Sequence, residues 1–455
     1  MLTPRPKRLK RRAVPRRFNA AGFVAGALAL ILGATTSLSV HLVGEIPIAE
    51  LFVPVLLPFL IVTRRKEIVK PTMRPLLILL GVWLAAQIVT DLYRQTRMTD
   101  WIRGDANIIF FAMDLIVFVA LLSKNNTRLI LYLFSYGLFK VLMTKFHPSP
   151  GMQGDAWKFG YAQGLVALVF LVSCFFYRRR NYAVMMLILL AFCAANVVFN
   201  DRSLVLFILI AITMTVPVIP ERIGRLQLLP PEGTKARLFA VASMALCAGL
   251  VAFGIVEFAT KSGLLGEEQQ TKNERQSQSA GGILLGGRPE ILVSSRAVLE
   301  SPILGHGSWP KDPKYIEMLA DVQARMGIKT DVGNDEERRA GVIPSHSSLM
   351  GAWVAAGVFG ALFWFYLLSP LFKAMVRISI ARTPLAPLYA YMLIDLLWSI
   401  FFSPFNGRQR LNDAFRIVIM IDILEAPMPV FAKKWVSRFN RTWNGKMNWR
   451  PAARI

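Results

Sequence analysis

The sequence predicts an all-α polytopic membrane protein with about twelve transmembrane helices and one large helical loop outside the membrane. Hydrophobic residues make up 54% of the 455 residues, and the mean hydropathy is +0.46. Apolar runs of about 18 to 25 residues recur along the chain, and each can cross a bilayer core as a helix. The three cysteines, Cys174, Cys193 and Cys247, lie inside these runs without close spacing, so neither a disulfide framework nor a zinc site is predicted.

The apolar runs give the order of the predicted spans. We expect transmembrane helices near 19–43, 46–63, 75–93, 106–123, 129–143, 159–177, 182–199, 203–219, 238–259, 346–370, 384–402 and 411–431. The last of these carries Arg416, Asp422 and Glu425, so a helix lying in the membrane interface is the alternative there. The first is too long for a cleavable signal peptide and is expected to stay as an anchor.

Basic residues set the expected orientation. The net charge is +25, and Lys and Arg gather in short loops and at both ends of the chain, which is typical of membrane topology and argues against nucleic-acid binding. The Arg-rich start, alternate loops such as "TRRKEIVK", and the tail "KKWVSRFNRTWNGKMNWR" then share the cytoplasmic side. Both termini are therefore expected in the cytoplasm. The outer loop "LYRQTRMTDWIRGDA" carries arginines and is an exception to the rule.

This topology divides the chain into a bundle of about nine spans (1–259), an outer loop (260–345) and a C-terminal part with spans and the basic tail (346–455). The loop would face the periplasm of a Gram-negative cell. In its first predicted helix Pro289 is the first residue, and one face carries Ile291, Leu292, Val298 and Leu299. A second helix is predicted at about 313–326, with one face formed by Tyr315, Leu319, Val322 and Met326.

Two arginines are candidate anion ligands. Arg288 stands at the start of the first loop helix, where backbone N–H groups and the helix dipole favour an anion and where Arg can bind phosphate through two donors. Arg202, in "NDRS", lies at the outer junction of two spans, where a charge should face protein or a wet cavity. The alternatives are a solvated Arg288, and for Arg202 a pair with Asp201 or a side chain that extends to the interface.

His346 is the candidate base. It is predicted in the first turn of a span on the outer side, where a helix N-terminus disfavours the protonated ring and leaves a neutral imidazole able to accept a proton. The alternative is a helix-start residue without chemistry. No outward-facing carboxylate or histidine cluster indicates a metal site, so neither metal nor cofactor is expected. Asp114, Gln163 and Asp395, inside predicted spans, could line a cavity or form buried pairs.

Three stretches together resemble a known family. "GRPEILVSSRAVLESPILGHG", a polar loop, "SHSSLMGAWVAAGVFGALFWF" and the upstream "NDRS" are similar to the O-antigen ligases and O-antigen polymerases of bacterial envelopes, over roughly residues 180–370. The chain departs from that family at Ser347, where Asn is common, and at Ile291, where an aromatic residue is more frequent.

The resemblance implies a fold of the GT-C type in the bacterial inner membrane, with a periplasmic active site that needs no metal. The implied reaction moves a glycan from undecaprenyl diphosphate to an acceptor hydroxyl on lipid A core or on a growing glycan. It makes Arg202 and Arg288 ligands of the diphosphate and His346 the residue that activates the acceptor.

Two other functions compete with this interpretation. A transporter or flippase of polysaccharide or lipid-linked sugar would suit twelve spans with Asp114 and Asp395 inside them, but the halves show no repeat and the candidate charges gather at one face instead of the midplane. A non-catalytic envelope assembly protein would leave Arg202, Arg288 and His346 without a role.

Overall fold

The computed structural model describes residues 20–41, 45–199, 201–215, 288–325, 340–380 and 383–427, with a few positions between 222 and 262. The basic N-terminus, the tail beyond residue 427 and most of the predicted span 238–259 lie outside the described residues, as do most of 260–287 and 326–339 of the predicted outer loop. Apart from two short two-stranded hairpins, the described part is helical. The prediction of an all-α protein is therefore confirmed.

The helices before the loop follow the predicted spans closely. They are α1 Ala20–Thr36, α2 Ile48–Thr63, α3 Arg65–Ile68, α4 Arg74–Arg94, α5 Met98–Leu122, α6 Asn126–Phe146, α7 Pro150–Gly154, a π-helical turn Trp157–Tyr161 that continues into α8 Ala162–Arg178, α9 Tyr182–Val198 and α10 Arg202–Thr215. Strands β1 Ser39–His41 and β2 Glu45–Pro47 pair between α1 and α2, and β3 Arg222–Ile223 pairs with β4 Leu226–Gln227.

The remaining helices are α11 Glu290–Glu300, α12 Pro313–Arg325, α13 Ser348–Ile380, α14 Ala386–Phe402 and α15 Gly407–Glu425. Five described segments are long and apolar enough to cross a membrane: α4, α5, α6, the segment 157–178 and α13. Five shorter apolar helices, α1, α2, α9, α10 and α14, match further predicted spans. The chain therefore has the character of a membrane protein.

Helix α5 begins eight residues before the predicted span 106–123. The polar residues of this extra stretch contact other parts of the protein, which removes the reason for a loop. Asp100 pairs with Lys311 at 2.7 Å, and Trp101 donates to Asp105 at 2.6 Å within the helix. The loop between α4 and α5 is correspondingly short.

Helix α15 lies inside the bundle, and its burial favours a helix of the bundle over the alternative of an interfacial helix. An interfacial helix buries one face, whereas α15 is buried nearly all round from Gly407 to Ile423. It packs against α5, α13 and α14. Its charged side chains are held by partners within the protein, as described below.

The predicted cytoplasmic segments meet at one end of the bundle, which we call the basic end. Glu425, the last residue of α15, pairs with Lys124 at 2.7 Å and with Lys70 at 3.3 Å. Arg377, near the end of α13, donates to the Leu424 carbonyl at 2.8 Å. The loop helices α11 and α12 cover the opposite end, which we call the loop end. The segments that the basic residues predict to share one side of the membrane thus lie together at one end of the bundle.

The loop helices form a small core of their own against α13. Its buried members are Val293, Ala297, Val298, Tyr315, Leu319, Ile343 and Val354. On the predicted face of α12, Tyr315 and Leu319 are buried and Val322 is half-buried, whereas Met326 lies outside the described residues. The predicted face of α11 is wrong in part: Leu292 and Leu299 are exposed, because Val293 and Ala297, one helical turn apart, contact the other elements instead.

The segment Pro302–Gly307 fills a break in α13. Ala356 and Gly357 have non-helical backbone angles, which leaves neighbouring peptide groups without intrahelical partners. The N–H of His306 donates to the Val354 carbonyl at 2.7 Å, and the N–H of Val358 donates to the Pro302 carbonyl at 2.9 Å. Gly357 has a φ of 64° and would place a Cβ against the carbonyl of Ile303, so glycine is needed there.

Candidate functional site

The loop-end terminus of α14 gathers two of the three predicted site segments. The last carbonyls of a helix have no intrahelical partner and need other donors. Ser347 Oγ donates to the Ile400 carbonyl at 2.8 Å, and Ser348 Oγ donates to the Ser403 carbonyl at 3.0 Å. Between them, Arg288 Nη1 donates to the Phe402 carbonyl. One helix end therefore holds Arg288 and the residues that follow His346.

Arg288 occupies an aromatic, half-buried position. Its guanidinium lies 5.5 Å from the ring centroid of Trp398 and 5.6 Å from that of Phe402. Burial lowers the pKa of Arg288, and nearby Glu290 opposes that effect, but a guanidinium stays protonated in either case. Among the described residues, no carboxylate forms an ion pair with it. Arg288 thus presents a positive charge, with donors beyond the one that Phe402 uses, at the edge of an apolar surface.

Arg202 is the first residue of α10, so it lies at the junction of α9 and α10, where the sequence placed it. Asp201 Oδ1 caps this helix by accepting from the N–H of Leu204 at 3.3 Å and from Ser203 Oγ at 2.9 Å. The carboxylate thereby stabilises the backbone that carries Arg202.

Helix α10 packs along α14, with the ring of Phe207 5.2 Å from that of Trp398. Arg202 lies five residues before Phe207, and Phe402 lies four residues after Trp398. At a rise of 1.5 Å per residue, Arg202 lies about 7.5 Å from Phe207 along α10, and Phe402 lies about 6 Å from Trp398 along α14. The two helices run in opposite directions. Tyr177 at the basic end donates to the Thr215 carbonyl, which fixes the direction of α10. The backbones of Arg202 and Phe402 therefore reach the same level at the loop end.

His346 lies just before α13, and its predicted place in the first turn is wrong by two residues. The helix begins at Ser348, and Ser347 Oγ accepts from the N–H of Met350 at 3.2 Å, as an N-cap does. The His346 side chain is exposed. Because the next two residues are tied to α14, the ring is held at the same helix end as Arg288.

The remaining intramembrane candidates differ from one another. Asp395, which is half-buried, pairs with Arg416 and accepts from Tyr391 at 3.4 Å, so the two form a structural ion pair. Gln163 is partly buried. Asp114 is fully buried, and neither of its oxygens has a hydrogen-bond partner in the described part of the chain.

Sequence reasoning missed one buried ion pair. Arg410 Nε donates to Glu50 Oε1 at 2.7 Å, and Arg410 Nη2 contacts the second oxygen. Both residues are buried, and they lie 360 positions apart. The available signal was Glu50 inside the predicted span 46–63 and Arg410 directly before the predicted span 411–431, because a charge in the membrane needs a partner.

Two further features of the described residues bear on the site. No group of three or more His, Cys, Asp or Glu side chains that could hold a metal lies within them, and the absence of a metal from the reaction stays a prediction. A shallow apolar groove of about 340 Å³ runs along the loop-end half of α5, away from the three predicted site residues. It is lined by Met98, Trp101, Ile102, Asp105, Ala106 and Ile109.

No protein-family model, curated protein or solved structure matches this chain.

Proposed function

We propose that the protein is a membrane glycosyltransferase that works at the loop end without a metal. It moves a glycan from undecaprenyl diphosphate to an acceptor hydroxyl, either on lipid A core or on a growing glycan. The same proposal includes a GT-C-like bundle of twelve spans in the bacterial inner membrane, with the loop end in the periplasm and both termini in the cytoplasm. Its main support is the common attachment of Arg288 and the His346 segment to residues 400–403.

The reaction requires two kinds of group: one that stabilises the leaving diphosphate and one that takes the proton of the acceptor hydroxyl. The bond from the anomeric carbon to the diphosphate oxygen breaks, and its electron pair leaves with the diphosphate. Arg202 and Arg288 would stabilise that charge, since guanidinium groups bind phosphate oxygens through paired N–H donors. The acceptor oxygen forms the new glycosidic bond, and His346 would take its proton.

The surroundings of Arg288 favour this role. The rings of Trp398 and Phe402 lower the local dielectric constant, which strengthens the attraction of a guanidinium for phosphate. Because no carboxylate pairs with Arg288 in the described residues, an anion would not need to displace one.

The departure from the family at position 347 is a mild one. Ser347 caps α13 through its hydroxyl, and Ser and Asn are both preferred N-cap residues. The exchange therefore preserves the local backbone that supports His346.

The test is glycan transfer by the purified protein from a lipid-linked donor. Arg288→Ala should abolish transfer while the protein reaches the membrane at a normal level. Arg296→Ala is the matched control, because Arg296 lies on the same helix α11, is exposed, and pairs with Glu300 at 2.9 Å. Equal activity of the two variants would refute the role of Arg288, and absence of transfer by the native protein with every donor and acceptor pair would refute the proposed reaction.

A transporter or flippase of lipid-linked sugar is the second candidate. Buried charge inside the bundle favours it, with Glu50, Asp114 and Arg410 enclosed among α2, α5 and α15. Proteoliposomes separate the two functions: a transporter moves the lipid-linked glycan across the membrane without changing it, whereas the proposed transferase releases undecaprenyl diphosphate.

A further inference from the structure

A carboxyl group without donors lies in the interior of the bundle. Asp114 is in the second half of α5, is fully buried, and has no hydrogen-bond partner for either oxygen among the described residues. Its own helix surrounds it with Phe111, Leu115 and Phe118, which are also buried and offer no donor. The transfer reaction proposed above gives this residue no role.

The polar neighbour of Asp114 is a second carboxyl group. Glu50, in the first turn of α2, stands beside Asp114 and has no exposed surface. Arg410 holds both oxygens of Glu50, donates to Asn107 Oδ1, and lies 5.1 Å from the Phe110 ring centroid. Arg410 attracts a negative charge on Asp114, but the repulsion by Glu50 is larger, so the pair as a whole does not balance that charge.

A further titratable group among the described residues that interacts with Asp114 is also unable to balance a negative charge. Tyr132 of α6 is buried, and its hydroxyl lies 3.4 Å from Thr36 Oγ. A phenol is neutral or negative, so it supplies no positive charge.

An ionised Asp114 would be strongly unfavourable here for two reasons. A bare carboxylate in an apolar interior loses its hydration without gaining a hydrogen bond. It would also repel the carboxylate of Glu50. One proton removes both penalties, because a protonated carboxyl is a donor and its neighbour is an acceptor.

We infer that Glu50 and Asp114 form a proton-binding site in which Asp114 carries a proton that it donates to Glu50, while Arg410 balances the charge of Glu50. The three side chains then carry no net charge. Glu50 is the third residue of α2, Arg410 is the fourth residue of α15, and Asp114 is in the second half of α5. The inference is independent of the proposed glycan transfer.

The first measurement uses dicyclohexylcarbodiimide, an apolar reagent that enters membranes and reacts with protonated carboxyl groups. In the purified full-length protein at slightly alkaline pH, mass spectrometry should find Asp114 labelled several-fold more than Asp413. Asp413 is an internal control because it is just as buried but pairs with Arg416 at 2.8 Å and accepts from Ser399 at 2.7 Å. Asp114→Asn should remove the label without changing the labelling of other residues.

Infrared spectroscopy decides the case in which the reagent cannot reach the site. The native protein should show the carbonyl stretch of a protonated carboxylic acid in an apolar setting, and Asp114→Asn should lack that band. The substitution keeps size and neutrality, so the variant should fold. A native spectrum without the band, or a band that Asp114→Asn leaves unchanged, would overturn the inference, because Asp114 would then be ionised.

Discussion

Arginines at the loop end and arginines inside the bundle have opposite surroundings. Arg410 and Arg416 are buried and bonded to carboxylates, the first to Glu50 and the second to Asp395 and Asp413. Arg288 instead has two aromatic rings and one carbonyl, with no carboxylate paired to it in the described residues. A buried arginine whose charge is cancelled serves the fold, whereas one whose charge remains at the protein edge is available to an anion.

The largest effect on stability is expected from removing one partner of a buried ion pair. Arg410→Ala leaves Glu50 buried without its counter-charge, and loss of one partner of a buried pair costs about 3–5 kcal/mol. We expect a low level in the membrane and a lower Tm in detergent.

Removing both members of that pair is the control. Glu50→Gln with Arg410→Leu should restore much of the loss, since no uncompensated charge stays behind. A native Tm for Arg410→Ala would show that the pair does not stabilise the fold, and the comparison between the two groups of arginines would fail.

His346→Ala should leave the fold intact and reduce turnover. The side chain is exposed, so little packing is lost, whereas general-base catalysis contributes about 10² to 10⁴ in rate. Single-turnover transfer should fall by about 10² or more while the variant still binds the lipid-linked donor. The native rate should also fall on acidification, as the imidazole becomes protonated. Lost donor binding would instead assign His346 to the diphosphate site, and an unchanged rate would mean that another group is the base.

Lysine at the two candidate phosphate ligands tests whether the arginines at the loop end act through charge alone. Arg288→Lys and Arg202→Lys keep the charge but lose the planar set of donors. The lysine variants should therefore recover only a small part of the transfer activity that the alanine variants lose. Arg288→Lys should also weaken the contact with the Phe402 carbonyl and the two rings. Transfer assays at matched protein levels measure both effects. Full activity of the lysine variants would mean that charge alone suffices and that no bidentate phosphate contact is made.

Local pattern predicted much of the fold but few of the contacts between distant segments. Helix α12 was expected at 313–326 and is observed at Pro313–Arg325, because its apolar spacing is a local property. The early start of α5 was missed, since the partner of Asp100 is Lys311, more than 200 residues away. The break at Gly357 was missed for the same reason: the segment that fills it, around His306, is distant in sequence.

The candidate site was predictable to a similar degree. The motifs located Arg202 at the junction of two spans and Arg288 and His346 at helix starts, all on one side, and all three lie at the loop end of the structure. The sequence did not reveal that Ser347 and Arg288 both bond to the end of α14, because carbonyl acceptors have no signature in a sequence. Nor did it pair Glu50 with Arg410, since either charge could have met several partners.

The smallest effect is expected at an exposed carboxylate of the loop. Lys314 and Tyr315 hold the pKa of Glu300 down at about 2, from an ordinary value of 4.5. A depressed pKa means that Glu300 stabilises the contact of α11 with α12 above pH 4.5 and loses that contribution as the pH falls towards about 2. Exposed ion pairs contribute at most about 1 kcal/mol, so Glu300→Gln should speed amide hydrogen exchange in α11 only slightly at neutral pH. In the native protein acid should accelerate this exchange, and the variant should lack that acceleration. Glycan transfer should be unchanged, because Glu300 ends α11 whereas Arg288 precedes its start. A loss of transfer as large as that of Arg288→Ala would mean that a paired surface charge matters as much as one without a carboxylate partner in the described residues. The distinction between cancelled and available charge would then no longer identify the site.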